Sequence, residues 1–227
     1  MRKRVALIVG LVIAALALSG GGAAFALGTR IFEPGPAVAP APMESPTPTP
    51  TPTNPPVAVP DIADPTTWTI GFHGIGPIAL GSSMERERQT LAAFSDNTDK
   101  LCVPGQLSLV DSEGFSVLLV GGVTDPSYTA AVIVGDWSQD VPRGPTTEAG
   151  IGVGSSAERL LSAYPEIERT GSYNDVTTYY GLADGGGGWI VFAIFENRVV
   201  SIQVANESNV PLENVSVRTM PSERCPA

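Results

Sequence analysis

The chain has 227 residues, a formal net charge of −10 at pH 7, one histidine and two cysteines. Residues 66–227 contain 19 acidic and 9 basic residues, so the negative charge belongs to this part of the chain. An acidic domain disfavours nucleic acid as a partner, because phosphates require lysine and arginine. It equally disfavours docking on anionic lipid. The charge fits plain solubility, with an acidic surface for a basic partner as the alternative.

The N-terminus predicts export from the cytoplasm. Residues 2–4 (RKR) precede an uncharged run over 5–27, and basic residues ahead of an apolar segment stay on the cytoplasmic side. Residues 24–26 (AFA) form a cleavage site typical of signal peptides, but the run also has about the 20 residues that a spanning helix needs. Residues 1–28 are therefore a signal peptide or a membrane anchor. We favour a single anchor in the cell membrane with the domain outside, and secretion after cleavage near Ala26 is the alternative.

A proline- and threonine-rich linker follows over residues 29–65. Its centre, 46–52, reads PTPTPTP. Proline has no backbone N–H and favours an extended chain. We expect a disordered, semi-rigid spacer between the membrane and a domain over 66–227.

Two similar blocks indicate an internal repeat in this domain. Residues 81–86 (GSSMER) and 154–159 (GSSAER) agree at five of six positions, and each block follows a Gly-Ile-Gly. Both contain the Ser-x-x-Glu spacing of a capping box, at 82–85 and at 155–158, which predicts the start of a helix.

The same offset of 73 residues relates runs of β-forming residues. In the first half these runs are 106–110, 115–120 and 128–134. Adding the offset places them near three runs of the second half, 176–180, 189–195 and 199–204. Because each helix needs a sheet face to cover, the sequence predicts an α+β domain. We expect two tandem repeats, about 70–140 and 146–206, each a helical segment plus about three antiparallel strands. The two halves could share one sheet or pack as two small sub-domains.

The second block carries a family resemblance. It runs through a short helix ending at residues 164–165 (YP) and through strands that include 195–202 (FENRVVSI). This run resembles one repeat unit of the β-lactamase-inhibitor-protein-like and outer-membrane-assembly-lipoprotein-like group. The resemblance implies a helical segment packed on antiparallel strands, in tandem, and a role in binding proteins. It does not imply β-lactamase inhibition, because no inhibitor contact residue can be carried over.

The two cysteines predict a disulfide. Cys102 and Cys225 both lie in the exported domain, and outside the cytoplasm such a pair is typically oxidised. The bridge would tie the C-terminal tail to the body and stabilise the fold by about 4–5 kcal/mol on loop-entropy grounds.

Searches for catalytic chemistry give no site, and we expect no catalytic, cofactor-binding or metal-binding residue. A Ser-His-Asp or Cys-His arrangement would have to use His73, and no G-x-S-x-G elbow presents a serine. One histidine cannot complete a zinc site. The acid pairs Glu166 with Glu168 and Asp136 with Asp140 are interpreted as solvated surface.

Aromatic residues supply the candidate interface. Four of them cluster in the predicted strands of the second half: Tyr173, Tyr179, Tyr180 and Trp189. Strand alternation sends some into the core and others outward, and outward tyrosine and tryptophan anchor protein interfaces.

These observations predict an exported, envelope-tethered, non-catalytic module that binds a protein or another envelope component. Two alternatives belong to other classes. A secreted hydrolase would need a deep acidic cleft with carboxylates of raised pKa, and a small-ligand or sensor domain would need an apolar pocket lined by the tyrosines and Trp189.

Overall fold

The computed structural model describes residues 59–135, 144–213 and 215–220, all within one compact unit, Pro55–Ala227. The predicted N-terminal segment and most of the linker lie outside the described residues, as do Asp136, Asp140 and Cys225. In the part of the chain that is described, no helix is long and apolar enough to cross a membrane.

Short elements open the domain and two sets of longer strands follow. In chain order they are β1 (Ile70–Gly71), β2 (Gly74–Ile75), β3 (Ile78–Ala79), α1 (Met84–Thr90), β4 (Ser95–Asp96), β5 (Gln106–Val110), β6 (Ser116–Gly121), β7 (Thr129–Gly135), α2 (Ala157–Ala163), β8 (Glu168–Tyr173), β9 (Thr177–Ala183), β10 (Gly188–Phe195) and β11 (Arg198–Asn206).

The larger of two sheets is antiparallel and has eight strands in the order β4-β5-β6-β7-β11-β10-β9-β8. Strands β7 and β11 pair at its centre, with Val132 opposite Val204. Strands β1, β2 and β3 form a separate three-stranded sheet.

The predicted fold class, an α+β domain of two helix-plus-three-strand repeats, is wrong. Among the described residues, α1 and α2 have only seven residues each, whereas strands form sheets of three and eight members. The fold is β-rich because the apolar strands bury most of the core among themselves. The helices act as short covers for one face.

Both helices begin one residue later than the capping boxes predict. The side chain of Ser83 accepts a hydrogen bond from the N–H of Arg86, and that of Ser156 accepts one from the N–H of Arg159. The second serine of each Gly-Ser-Ser is therefore the N-cap, where its oxygen satisfies an N–H that has no partner within the helix.

One face of the large sheet packs under the helices and the small sheet. This helix-side core includes Leu91 at the end of α1, Leu160 of α2, Ile75 of β2 and Phe192 of β10, all fully buried. Because side chains alternate along a strand, the neighbours of Phe192 in β10 point to the opposite face.

The opposite face carries a second apolar cluster, the tail-side core, which includes Trp189 and Val191 of β10. The C-terminal segment, described at 212–213 and 215–220, covers it with Val215 and Met220, both buried. Arg218 lies 4.5 Å from the centre of the Trp189 ring.

A hydrogen-bonded triad also holds the segment in place. The Glu207 carboxylate accepts hydrogen bonds from Arg218 at 2.9 Å and from the indole N–H of Trp189 at 3.0 Å. The hydrogen bond from Arg218 comes first among the causes that lower the pKa of Glu207.

Cys102 lies on the loop before β5 and is not a free thiol. Its predicted partner, Cys225, is beyond the last described residue, so the pairing stays a prediction.

Candidate binding cleft

A cleft with a volume of about 550 Å³ opens between the first strand of the small sheet and the end of β9. Its described lining comes from five parts of the chain: 69–72 around β1, 147–148, 164–168 between α2 and β8, 181–183 of β9, and Ile190 of β10. Residues far apart in sequence therefore meet in one concavity.

The floor of the cleft is apolar. Ile70, Leu182 and Ile190 belong to the helix-side core and are at most 9% exposed. Leu182 lies directly opposite Ile190 in the β9–β10 pairing, so the alternation of both strands directs these side chains to one face. Phe72 packs against the same cluster and is only partly buried.

One wall is held rigidly by Tyr164, which ends α2. Its hydroxyl donates a hydrogen bond of 2.7 Å to Oγ1 of Thr147, and its ring lies 6.3 Å from that of Phe192. Oγ1 of Thr147 also accepts a bond of 3.2 Å from the N–H of Ile151. The tyrosine is therefore fixed at both ends before anything binds.

Three exposed carboxylates surround this floor. They belong to Glu148, Glu166 and Glu168, and none of the described lining residues is Lys, Arg or His. The opening is therefore negative and its base is apolar. Within the described ranges, no group of three or more His, Cys, Asp or Glu side chains could hold a metal ion.

A fourth carboxylate follows the lining residue Ala183. Oδ1 of Asp184 accepts hydrogen bonds from the N–H groups of Gly186 at 2.7 Å and Gly188 at 2.8 Å. These bonds, helped by the nearby His73, lower the pKa of Asp184. The carboxylate therefore stays ionised and adds to the negative potential beside the cleft.

The predicted interface residues lie elsewhere. Tyr179 and Trp189 are 3% and 6% exposed, beneath the C-terminal segment. Burial raises the pKa of Tyr179, and the neighbouring Tyr173 adds to this effect. Tyr173 and Tyr180 are partly buried, one against each core. None of the four is among the described lining residues of the cleft, and their role as an interface stays a prediction.

Sequence reasoning named some residues of this site but did not predict that they lie together. The acid pair Glu166 and Glu168 was interpreted as solvated surface, and His73 is an exposed residue of the turn after β1. The third carboxylate, Glu148, and the aromatic wall of Tyr164 were not identified as site residues. A usable signal was the run from Tyr164 to Glu168, in which two acids follow the end of a helix.

Hydrogen bonds from nearby N–H and hydroxyl groups lower the pKa of several described carboxylates, Asp64, Asp125 and Asp184 among them. Of these three, Asp184 is the one beside the cleft, and a lowered pKa holds its carboxylate in the charged form.

Comparison with known proteins leaves the chain without a family. No family model and no curated protein matches it. A solved structure that does match is the crystal structure of an extracellular protein containing a SCP domain from Bacillus anthracis str. Ames. It is 12% identical, with a TM-score of 0.33, and the match covers 56% of this chain and 44% of that one. The matched region is thus less than half of that protein, and a likeness at this level carries no argument about fold or function.

Proposed function

We propose that this protein is a non-catalytic module, tethered outside the cell membrane, that binds a partner protein through the acidic cleft. This proposal rests on the cleft itself. The cleft has an apolar floor and three glutamates at its opening, and none of its described lining residues is basic. Its fitting partner is a segment that presents a lysine or arginine beside an aliphatic side chain.

The two parts of the cleft contribute differently to affinity. Burying one aliphatic side chain on the floor contributes about 1.5–3 kcal/mol. Each exposed carboxylate contributes roughly 0.2–1 kcal/mol toward a cation. The floor therefore supplies most of the affinity, and the rim selects a basic partner and speeds the encounter.

The location is proposed from the N-terminus. The uncharged run after residues 2–4 directs the chain into the membrane, and the linker 29–65 is long enough to hold the domain away from it. Retention by a single anchor is the preferred form, with secretion after cleavage near Ala26 as the alternative.

The proposal is tested by capture of a partner from envelope extract with the full chain in detergent. The cleft variant is Glu148→Gln, Glu166→Gln and Glu168→Gln together; the matched control is Glu158→Gln, Glu196→Gln and Glu213→Gln, exposed glutamates outside the described lining. Both variants change the net charge from −10 to −7.

A partner retained by the control variant and lost about tenfold by the cleft variant supports the proposal, since three weak ion pairs together reach roughly 1–2 kcal/mol. Equal capture by both variants, or equal loss, would show that the cleft is not the binding site.

A small cationic ligand is the second candidate, favoured by the volume of the cleft. Its 550 Å³ lies within the range of about 300–1,000 Å³ typical of small-molecule sites. Calorimetric titration of the full chain with aliphatic amines and diamines tests it, and heat of binding that vanishes in the cleft variant would favour this candidate.

A further inference from the structure

Strand β9 extends beyond its neighbour at the cleft. Its pairing with β8 ends where Glu168 lies opposite Gly181. The strand continues through Leu182 to Ala183, which pair only with β10. The last residues of β9 therefore have a strand on one side and the open cleft on the other.

Hydrogen bonding shows which groups are left free. The N–H of Asp184 donates to the carbonyl of Gly188 at 3.1 Å, so residues 182 and 184 direct their backbone groups toward β10. Backbone directions alternate along a strand, so the N–H and C=O of Ala183 point to the β8 side. No hydrogen bond joins either group to a described residue, and Ala183 is exposed.

We infer that the cleft binds its partner as an extended segment, which hydrogen-bonds to the free edge of β9 at Ala183 and directs a basic side chain toward the glutamate rim. This inference rests on the proposed function and adds the conformation of the partner. A helical segment would satisfy its own N–H and C=O groups and leave these edge groups unused. An extended chain offers one N–H and one C=O at every second residue to such an edge.

The extended conformation is tested with defined peptides on the full chain in detergent. The probe is fluorescein-labelled VKVKVKV with an amidated C-terminus, and binding is followed by anisotropy. Two isomers carry three N-methyl groups each, one on the lysine amides and the other on three valine amides. Because alternate amides face the same edge, strand addition predicts that one isomer binds about fivefold more weakly and the other binds like the parent.

A protein variant supplies an independent measurement. Ala183→Pro removes the free N–H without removing a hydrogen bond of the fold, because that N–H has no partner among the described residues. Proline also fixes φ at about −65°, away from the usual strand value, so we expect a lower unfolding midpoint. Measured below that midpoint, the folded variant should bind the parent peptide about fivefold more weakly. Ala183→Val keeps the N–H and is the control, with binding close to that of the wild type.

The outcomes separate this inference from the proposed function. Two results together support both proposals: the parent peptide binds the wild type but not the cleft variant, and the two isomers differ in affinity. Isomers of equal affinity overturn the extended mode and leave the cationic cleft standing. Parent peptide that fails to bind, or that binds the cleft variant equally well, overturns the cationic cleft itself.

Discussion

The wall of the cleft depends on one hydrogen bond, and its removal can be predicted in detail. The variant Tyr164→Phe deletes only the hydroxyl that donates to Oγ1 of Thr147 at 2.7 Å. The ring keeps its place against Phe192, so no cavity forms. The perturbation is therefore limited to a single partly buried interaction.

The expected cost follows from what remains at Thr147. Its Oγ1 still accepts the N–H of Ile151, so no buried group loses its last partner. The net value of an ordinary hydrogen bond, about 0.5–1.5 kcal/mol, then applies. We expect Tyr164→Phe to lower the free energy of unfolding by about 1 kcal/mol, a shift of roughly 2–4 °C in the midpoint for a domain of this size.

A double-mutant cycle with Thr147→Val isolates the interaction. Thr147→Val alone removes both hydrogen bonds and leaves the N–H of Ile151 without its side-chain acceptor, at a cost of about 1–3 kcal/mol. In that background the Tyr164 hydroxyl has no acceptor, so Tyr164→Phe is expected to cost close to nothing. Urea unfolding followed by tryptophan fluorescence measures all four proteins.

A coupling energy near 1 kcal/mol is the expected result. If Tyr164→Phe has the same cost in both backgrounds, the hydroxyl does not interact with Thr147, and the reasoning that the wall is preformed fails.

Three further predictions concern the core, the tail and pH. Phe192→Ala empties a fully buried site and is expected to lower the free energy of unfolding by about 3–5 kcal/mol, measured by urea titration; a loss below 1 kcal/mol would contradict the position of the ring. Arg218→Ala removes the contacts with Trp189 and Glu207 and is expected to cost about 1 kcal/mol and to shift the tryptophan emission, whereas an unchanged spectrum would argue against the stacking. The pKa of Asp184 is lowered in the folded protein. The ionised carboxylate therefore stabilises the fold above the ordinary pKa of 3.8, and this stabilisation is lost as the pH falls. The wild type should unfold at a higher temperature than Asp184→Asn near neutral pH, and this difference should shrink below about pH 4. A difference that does not change with pH would refute the hydrogen bonds assigned to Asp184.

Local patterns predicted most of the long strands. The run 106–110 coincides with β5, and the runs 189–195 and 199–204 fall within β10 and β11. The hairpin between them turns at Glu196 and Asn197, both with positive φ. These features follow from β-branched residues and turn residues that are close in sequence, so sequence reasoning finds them.

The fold class depended on interactions that no local pattern carries. The pairing of β7 with β11 unites both halves in one sheet, and the two residues of each β7–β11 pair are far apart in the chain. Strand β8 reads ERTGSY and lacks the alternating apolar residues that mark a half-buried strand. With the β7–β11 pairing and strand β8 unrecognised, the short helices received too much weight.

The candidate site was predictable only in fragments. Glu166 and Glu168 are close in sequence and were recognised as a pair, but Glu148 comes from a separate loop that only the fold brings to the cleft. The aromatic residues failed to indicate their surroundings for a related reason. Alternation predicts two faces for β10, and the sequence does not show that the C-terminal segment covers the second one.

The central pairing of the large sheet has a consequence for how the chain acquires its structure. Every residue of β7 is buried. Its partner on the side away from β6 is β11, which lies about 65 residues later in the chain. At roughly 5–20 residues per second, a ribosome needs about 3–13 s to supply that partner. Throughout this interval the first four strands of the large sheet, β4 to β7, present the apolar, unpaired edge of β7, which is a template for aggregation. The finished sheet instead ends in β4, with two exposed residues, and in the polar β8. The exposed edge of β7 therefore favours aggregation during this interval, and a holding chaperone that covers it would reduce that risk.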